Sequence, residues 1–244
     1  MDNTRLTAWI DYIFEHPVAE PKAKEWYWAE DAPEWDGPRE EIPTLIAETF
    51  ERSGELLARF PDDQQDQGFW FLVGVSEPRF MELLVEREIP LETRLRALRS
   101  FVPLFEQVMA KRCQSKLAYC SEYDGSPLTS ACFMWWDNIR WQWGRSPGQD
   151  GARDPGYALF DEDPDRTSFD EEVVTTLGRI LAMPHDACRE SALHGIGHLD
   201  DLILANPPLC RRAAQIVDEW LTGTAGLQPE LIDYAKQAKV FDVQ

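Results

Sequence analysis

Long apolar runs are missing from this sequence. No segment approaches the roughly 18 consecutive apolar residues that a membrane-spanning helix requires. The opening MDNTRLTAWIDYIF has no basic stretch followed by an apolar one. The expectation is a cytoplasmic protein with no membrane association and no secretory leader. Paired cysteines are missing too. Cys113, Cys120, Cys132, Cys188 and Cys210 are scattered, and none stands in a C-x-x-C pair. That spacing suggests neither a zinc ribbon nor a disulfide framework, and reduced, buried thiols are expected instead.

Basic residues are scarce. Lysine and arginine number 24 against 44 acids, for a formal charge of −20. Such a surface repels phosphates, which argues against binding nucleic acid or an anionic lipid surface, and it suits a basic protein partner. Familiar catalytic signatures are also absent: there is no G-x-S-x-G, no phosphate-binding P-loop, no G-x-G-x-x-G and no kinase-like set. These absences lead to the expectation of a protein that is not an enzyme and that carries no cofactor.

Helix signals run through the chain of 244 residues. Leu6, Trp9, Ile10, Ile13 and Phe14 recur at helical spacing, as do Ile42, Leu45, Ile46, Thr49, Phe50, Leu56 and Leu57. Both sets predict one buried face. Asp62 and Asp63 are placed to cap a helix through QGFWFLVG. Glu77-Pro78 opens RFMELLVERE, and Pro90 opens a long segment in which Pro103, lacking an amide donor, should kink or split the helix. A further helix, rich in aromatics, is expected over 128–143. Residues 144–167 are dominated by glycine, proline and acids and read as an exposed loop. Beyond them, Ser168-x-x-Glu171 has the form of a capping box opening a helix to about Met183. Another helix follows over 186–204. Asn206-Pro207 reads as an N-cap followed by proline at the first helical position, and Pro229 opens the last helix. The predicted organisation is an N-terminal helical part (1–143), the acidic loop (144–167) and C-terminal helices (168–244), forming one continuous domain. The expected fold is all-α: an irregular helical bundle or a short α-solenoid of antiparallel helix pairs.

Within 168–221, RESALHGIGHL is followed by a proline turn and CRRAAQIVDEWL. This alternation of Ala, Leu and Gly on paired helices resembles HEAT-type helical repeats. The resemblance implies a scaffold of stacked antiparallel helices and covers less than a quarter of the chain.

The stretch ACRESALHGIGHLDD, residues 187–201, poses the sharpest question. Cys188, Ala192, Gly195, Ile196, Leu199, Leu202 and Ile203 fall within an arc of about 120° on a helical wheel. Glycine inside a helix costs roughly 1 kcal/mol relative to alanine, and close approach of a second helix would account for Gly195. Gly197 lies on the opposite face, where packing on this arc does not account for it. His194 and His198 stand four apart on the flank, in a stripe with Glu190 and Asp201. Glu190, His194 and His198 could hold a divalent metal, as in a metal-dependent hydrolase, although the glutamate of an H-E-x-x-H motif is missing. The preferred expectation is that the glycines serve packing and that the histidines bond to neighbouring groups.

Two other segments are candidates. DEDPDRTSFDEE (161–172) imitates a calcium loop through Asp161, Asp163, Asp165 and Glu172. Arg166 stands where that loop needs glycine and Pro164 stiffens it, so an acidic loop leading into a helix is the better reading. KEWYWAEDAPEWDG (24–37) sets Trp26, Tyr27, Trp28 and Trp35 among acids, while FMWWDNIRWQW (133–143) looks more like core. Apolar anchors with a charged rim are the material of a protein-binding surface, and the competing reading is that the 24–37 aromatics close over helix ends. The candidate partner-binding residues are therefore Trp26, Tyr27, Trp28 and Trp35 with Asp161, Glu162, Asp163 and Asp165. The functional expectation is a non-enzymatic protein that binds a basic partner, in its most concrete form a bacterial immunity-type inhibitor of a toxin domain. The alternatives are the hydrolase and a general scaffold or adaptor.

Overall fold

The computed structural model describes residues 3–18, 25–74, 79–114, 117, 127–138, 164–199 and 206–243. They form an all-α bundle with no strand among them. Among the described residues, no helix is long and apolar enough to cross a membrane.

Helix α1 (Asn3–Phe14) buries the face predicted for it: Leu6, Trp9, Ile10, Ile13 and Phe14. A 3-10 turn at Arg39–Glu41 leads into α2 (Ile42–Glu51), and a break at Arg52 separates the short α3 (Ser53–Leu56). The buried Gln65 amide closes the next turn by donating to the carbonyls of Leu57 and Phe60, both at 2.9 Å. Helix α4 (Asp62–Val73) starts where the acids predicted it, though the cap position is Pro61 and the two aspartates lie in the first turn. Their charge complements the helix dipole there.

After a 3-10 turn at Phe80–Leu84, α5 (Leu91–Arg99) ends at Ser100, and α6 (Phe101–Leu104) carries Pro103. Pro103 cannot donate to the carbonyl four residues back, so the expected break occurs one turn ahead of it. At the break, Ser100 donates its hydroxyl to the Ala97 carbonyl at 2.6 Å. A π turn at Phe105–Met109 and the short α7 (Ala110–Arg112) complete this segment. Helices α8 (Pro127–Phe133) and α9 (Trp135–Asn138) follow, divided at Met134.

The C-terminal set is α10 (Pro164–Leu181), α11 (Asp186–Gly197), α12 (Pro207–Gly223) and α13 (Pro229–Ala238). The N-cap predicted at Asn206 is present: its side chain accepts from the Leu209 amide at 3.2 Å. The predicted start of α10 is corrected. The helix begins at Pro164, so Ser168 and Glu171 lie inside it and no capping box forms there. Proline suits a first helical position, and charge pairing holds the added turn. Buried Arg94 reaches Asp165 at 3.0 Å, and Arg166 meets Asp170 at 3.1 Å one turn on, with both side chains less than a tenth exposed. Arg166 is thus a helical ion-pair residue, and residues 164–172 do not form a calcium loop.

The two predicted parts interlock. Helix α10 packs on α5 and α6 as well as on α11 and α12, while α11 packs on α8, α9 and α13. The joint is aromatic. Trp135 is fully buried against Phe50, Phe69, Phe101 and Phe105, with ring centroids 5.5 to 6.0 Å apart. Its neighbour Trp136 meets two of the same rings, Phe101 at 5.8 Å and Phe105 at 6.5 Å, and also lies against α11. A Cβ at Gly195 would stand 2.6 Å from Trp136 Cγ and 2.8 Å from Leu177 Cδ2. The packing role expected for Gly195 is therefore present. Gly197, which the wheel left unexplained, faces the chain's last residues: a Cβ there would lie 2.3 Å from Val243 Cγ2.

Two glycine substitutions should therefore have opposite signs. Gly195→Ala gains helix propensity but drives a methyl into an indole that cannot retreat, for a net loss of about 1–3 kcal/mol. Gly223→Ala, with nothing within 4 Å of the new methyl, should gain up to about 1 kcal/mol. Urea unfolding of the two variants checks the pair.

Candidate functional site

Two clusters of side chains stand out. The first lies at the C-terminal end of α11. His194 and His198 are four residues apart, so one helical turn brings their rings into edge-to-face contact at 4.5 Å. His194 is buried, packed at 4.3 Å against the Phe133 ring, and its Nδ1 lies 2.6 Å from the Tyr234 hydroxyl on α13. Its other nitrogen, Nε2, is buried and has no hydrogen-bond partner among the described residues. His198, at the helix end, sits with Nε2 3.9 Å from a carboxylate oxygen of Asp137 on α9. Ligand atoms of Asp137, His194 and His198 all lie within 4.8 Å of one another, and among the described residues they form the only such group.

The expected trio is thus altered. Glu190 is buried on α11 and is not part of the cluster, its place as the carboxylate being taken by Asp137. Asp201 lies outside the described residues. Asp137 could not have been picked out from the sequence, because it is one acid among 44 and α9 reaches α11 only through tertiary packing. Tyr234 reads as an ordinary apolar position on an amphipathic helix. The bonded histidine foreseen for this helix is found at His194.

The second cluster surrounds the 25–37 segment. Trp26–Trp28 form a 3-10 turn and the chain then runs on past Trp35. Tyr12, Trp26, Tyr27, Trp35, Phe71 and Phe80 line a groove of about 510 Å³, with Glu30, Glu34 and Arg39 also on its wall. Trp26 lies 4.5 Å from Phe71 and stacks on His16 at 3.7 Å, while Tyr12 meets Trp35 at 5.5 Å. Arg5 sits over the Trp35 ring at 5.6 Å. Trp26, Tyr27 and Trp35 are half-buried on the core, and Trp28 is 47% exposed. Three of the four rings thus lie half-buried against the core, and one faces solvent. Burial pushes the Tyr12 phenol up to about 12 and the Tyr27 phenol higher still, so both remain neutral hydrogen-bonding groups.

Of the acidic candidates, Asp161, Glu162 and Asp163 lie outside the described residues. Asp165 is engaged by Arg94 and does not line the groove.

Cys113, Cys132 and Cys188 form a third, interior group. Cys113, Cys132, Cys188 and Cys210 are reduced and buried, as expected, and Cys120 lies outside the described residues. Hydrogen bonding to the Cys113 and Cys188 sulfurs, together with burial, holds Cys132 far above the ordinary thiol range. Cys188 is drawn down to about 6 by hydrogen bonds with Cys132 and His185.

In comparisons with known proteins, no family model, curated protein or solved structure matches the chain. The HEAT-type resemblance of residues 168–221 therefore rests on its own residue pattern.

Burial lowers the His194 pKa from 6.5 to about 4, with repulsion from His198 adding to the shift and Asp137 opposing it. The unfolded chain then takes up the proton first. Stability present above pH 6.5 should be lost as the pH falls toward 4, by as much as about 3 kcal/mol. Urea unfolding in chelator should show a stability loss on acidification that is correspondingly smaller in His194→Leu. Equal losses would show that burial of this ring does not set its proton affinity.

Proposed function

We propose that this chain is a non-enzymatic protein-binding protein that holds a basic partner at the aromatic groove beside residues 25–37. The observation that supports the reading is the convergence of Tyr12, Trp26, Tyr27 and Trp35 with Phe71 and Phe80 around one groove that also carries Glu30 and Glu34. A guanidinium or ammonium over aromatic faces gains roughly 0.5–2 kcal/mol, more as water is excluded. Carboxylates at the rim and a net charge of −20 would speed the approach of a cationic surface. Arg5 over Trp35 is an internal example of that contact. Trp28 at the edge supplies the exposed apolar anchor.

The concrete form of this reading is an immunity-type inhibitor that neutralises a basic toxin domain. A general adaptor would use the same groove without blocking an activity. The hydrolase reading has less support, since Glu190 lies outside the imidazole cluster.

A short arginine-rich peptide, titrated while tryptophan emission is followed, tests the groove. Binding should weaken with added salt. Trp28→Ala and the double variant Glu30→Gln/Glu34→Gln should each weaken it by about tenfold, equivalent to about 1.4 kcal/mol. Glu230→Gln on α13 should change it little. An equal loss in all three would assign binding to overall charge and remove the groove from the account.

A further inference from the structure

We propose that Asp137, His194 and His198 form a binding site for one divalent transition-metal ion of the zinc class, held by two imidazole nitrogens and one carboxylate oxygen, with Tyr234 as the positioning residue. The inference is independent of the groove and of any protein partner.

Three observations support it. The donor set is the first: two imidazoles with a carboxylate suit zinc or iron(II), whereas a calcium or magnesium site would be built from oxygens alone. Geometry is the second. The ligand atoms lie within 4.8 Å of one another, and zinc bonded at about 2.0–2.2 Å would draw them roughly 1 Å closer. Asp137 and His198 can supply that movement by side-chain rotation, because their side chains are 40% and 29% exposed.

The buried nitrogen is the third. His194 is 2% exposed, and its Nε2 is enclosed with no hydrogen-bond partner among the described residues. An uncompensated polar atom costs about 1–3 kcal/mol in a protein interior, and a metal bond would remove that cost. The opposite nitrogen is already in the arrangement that ligating histidines adopt: Nδ1 is 2.6 Å from the Tyr234 hydroxyl, an outer contact that fixes ring orientation and tautomer. In the metal-bound form, Nδ1–H donates to the phenol oxygen and Nε2 carries the free lone pair. The α11 C-terminus lies at the cluster, and its carbonyl ends favour a cation. With three protein ligands and a partly open Asp137, one or more positions remain for water.

The test uses the full chain, stripped with chelator and titrated with zinc chloride in a calorimeter against excess magnesium, which occupies exposed carboxylates. One equivalent should bind, and the imidazole signals of His194 and His198 should shift together in NMR spectra. Asp137→Ala and His198→Ala, both at partly exposed positions where folding can be checked by circular dichroism, should each weaken binding at least tenfold. Tyr234→Phe should weaken it by about tenfold or more, the size usual for outer-shell partners. Zinc should also raise the thermal midpoint of the parent chain but not of His198→Ala. The proposal is overturned if no saturable equivalent binds, or if folded Asp137→Ala and His198→Ala bind zinc as the parent does.

Discussion

Two adjacent indoles that cannot share one face hold this molecule together. Trp135 enters the N-terminal helices and touches four phenylalanines drawn from α2, α4, α6 and the π turn. Trp136 shares Phe101 and Phe105 with it and reaches α11 as well, where Gly195 leaves room for it. A large aromatic buries 150–250 Å² and gains further from edge-to-face contact, so this pair joins the two parts more strongly than the ion pairs at their boundary. The position of α11 follows from the fit of Trp136 to Gly195, and so does the position of His194 beside Phe133 and Tyr234.

How much the sequence revealed depended on whether the cause was local. Amphipathic periodicity located α1 and α2, a side-chain cap followed by proline located the start of α12, and Pro229 located that of α13. Ser168-x-x-Glu171 misled for a physical reason. A local capping pattern lost to Arg94, distant in sequence, which pairs with Asp165 and stabilises an extra turn ahead of the pattern. Pro103 was legible for the opposite reason, since the break it causes lies in the turn just before it.

The candidate sites divide along the same line. His194 and His198 were visible because their spacing is set by a single helix. Asp137 and Tyr234 were not, because they arrive on two other helices whose approach depends on the Trp136 contact and on burial of the α13 face. The groove lies between these cases. Trp26, Tyr27, Trp28 and Trp35 are crowded in the sequence, whereas Tyr12, Phe71 and Phe80 reach the same wall from α1, α4 and the 3-10 turn that follows. Composition could suggest a surface there, but only packing could show which rings are sunk and that Trp28 is left outside.

The phenylalanines around Trp135 have a consequence for synthesis. Phe50, Phe69, Phe101 and Phe105 leave the ribosome before the ring that fills the space between them, and domains tend to fold as their residues emerge. Until residue 135 appears, the nascent helices carry an open apolar slot of indole size. The slot closes only once the tryptophan has left the ribosome in its turn.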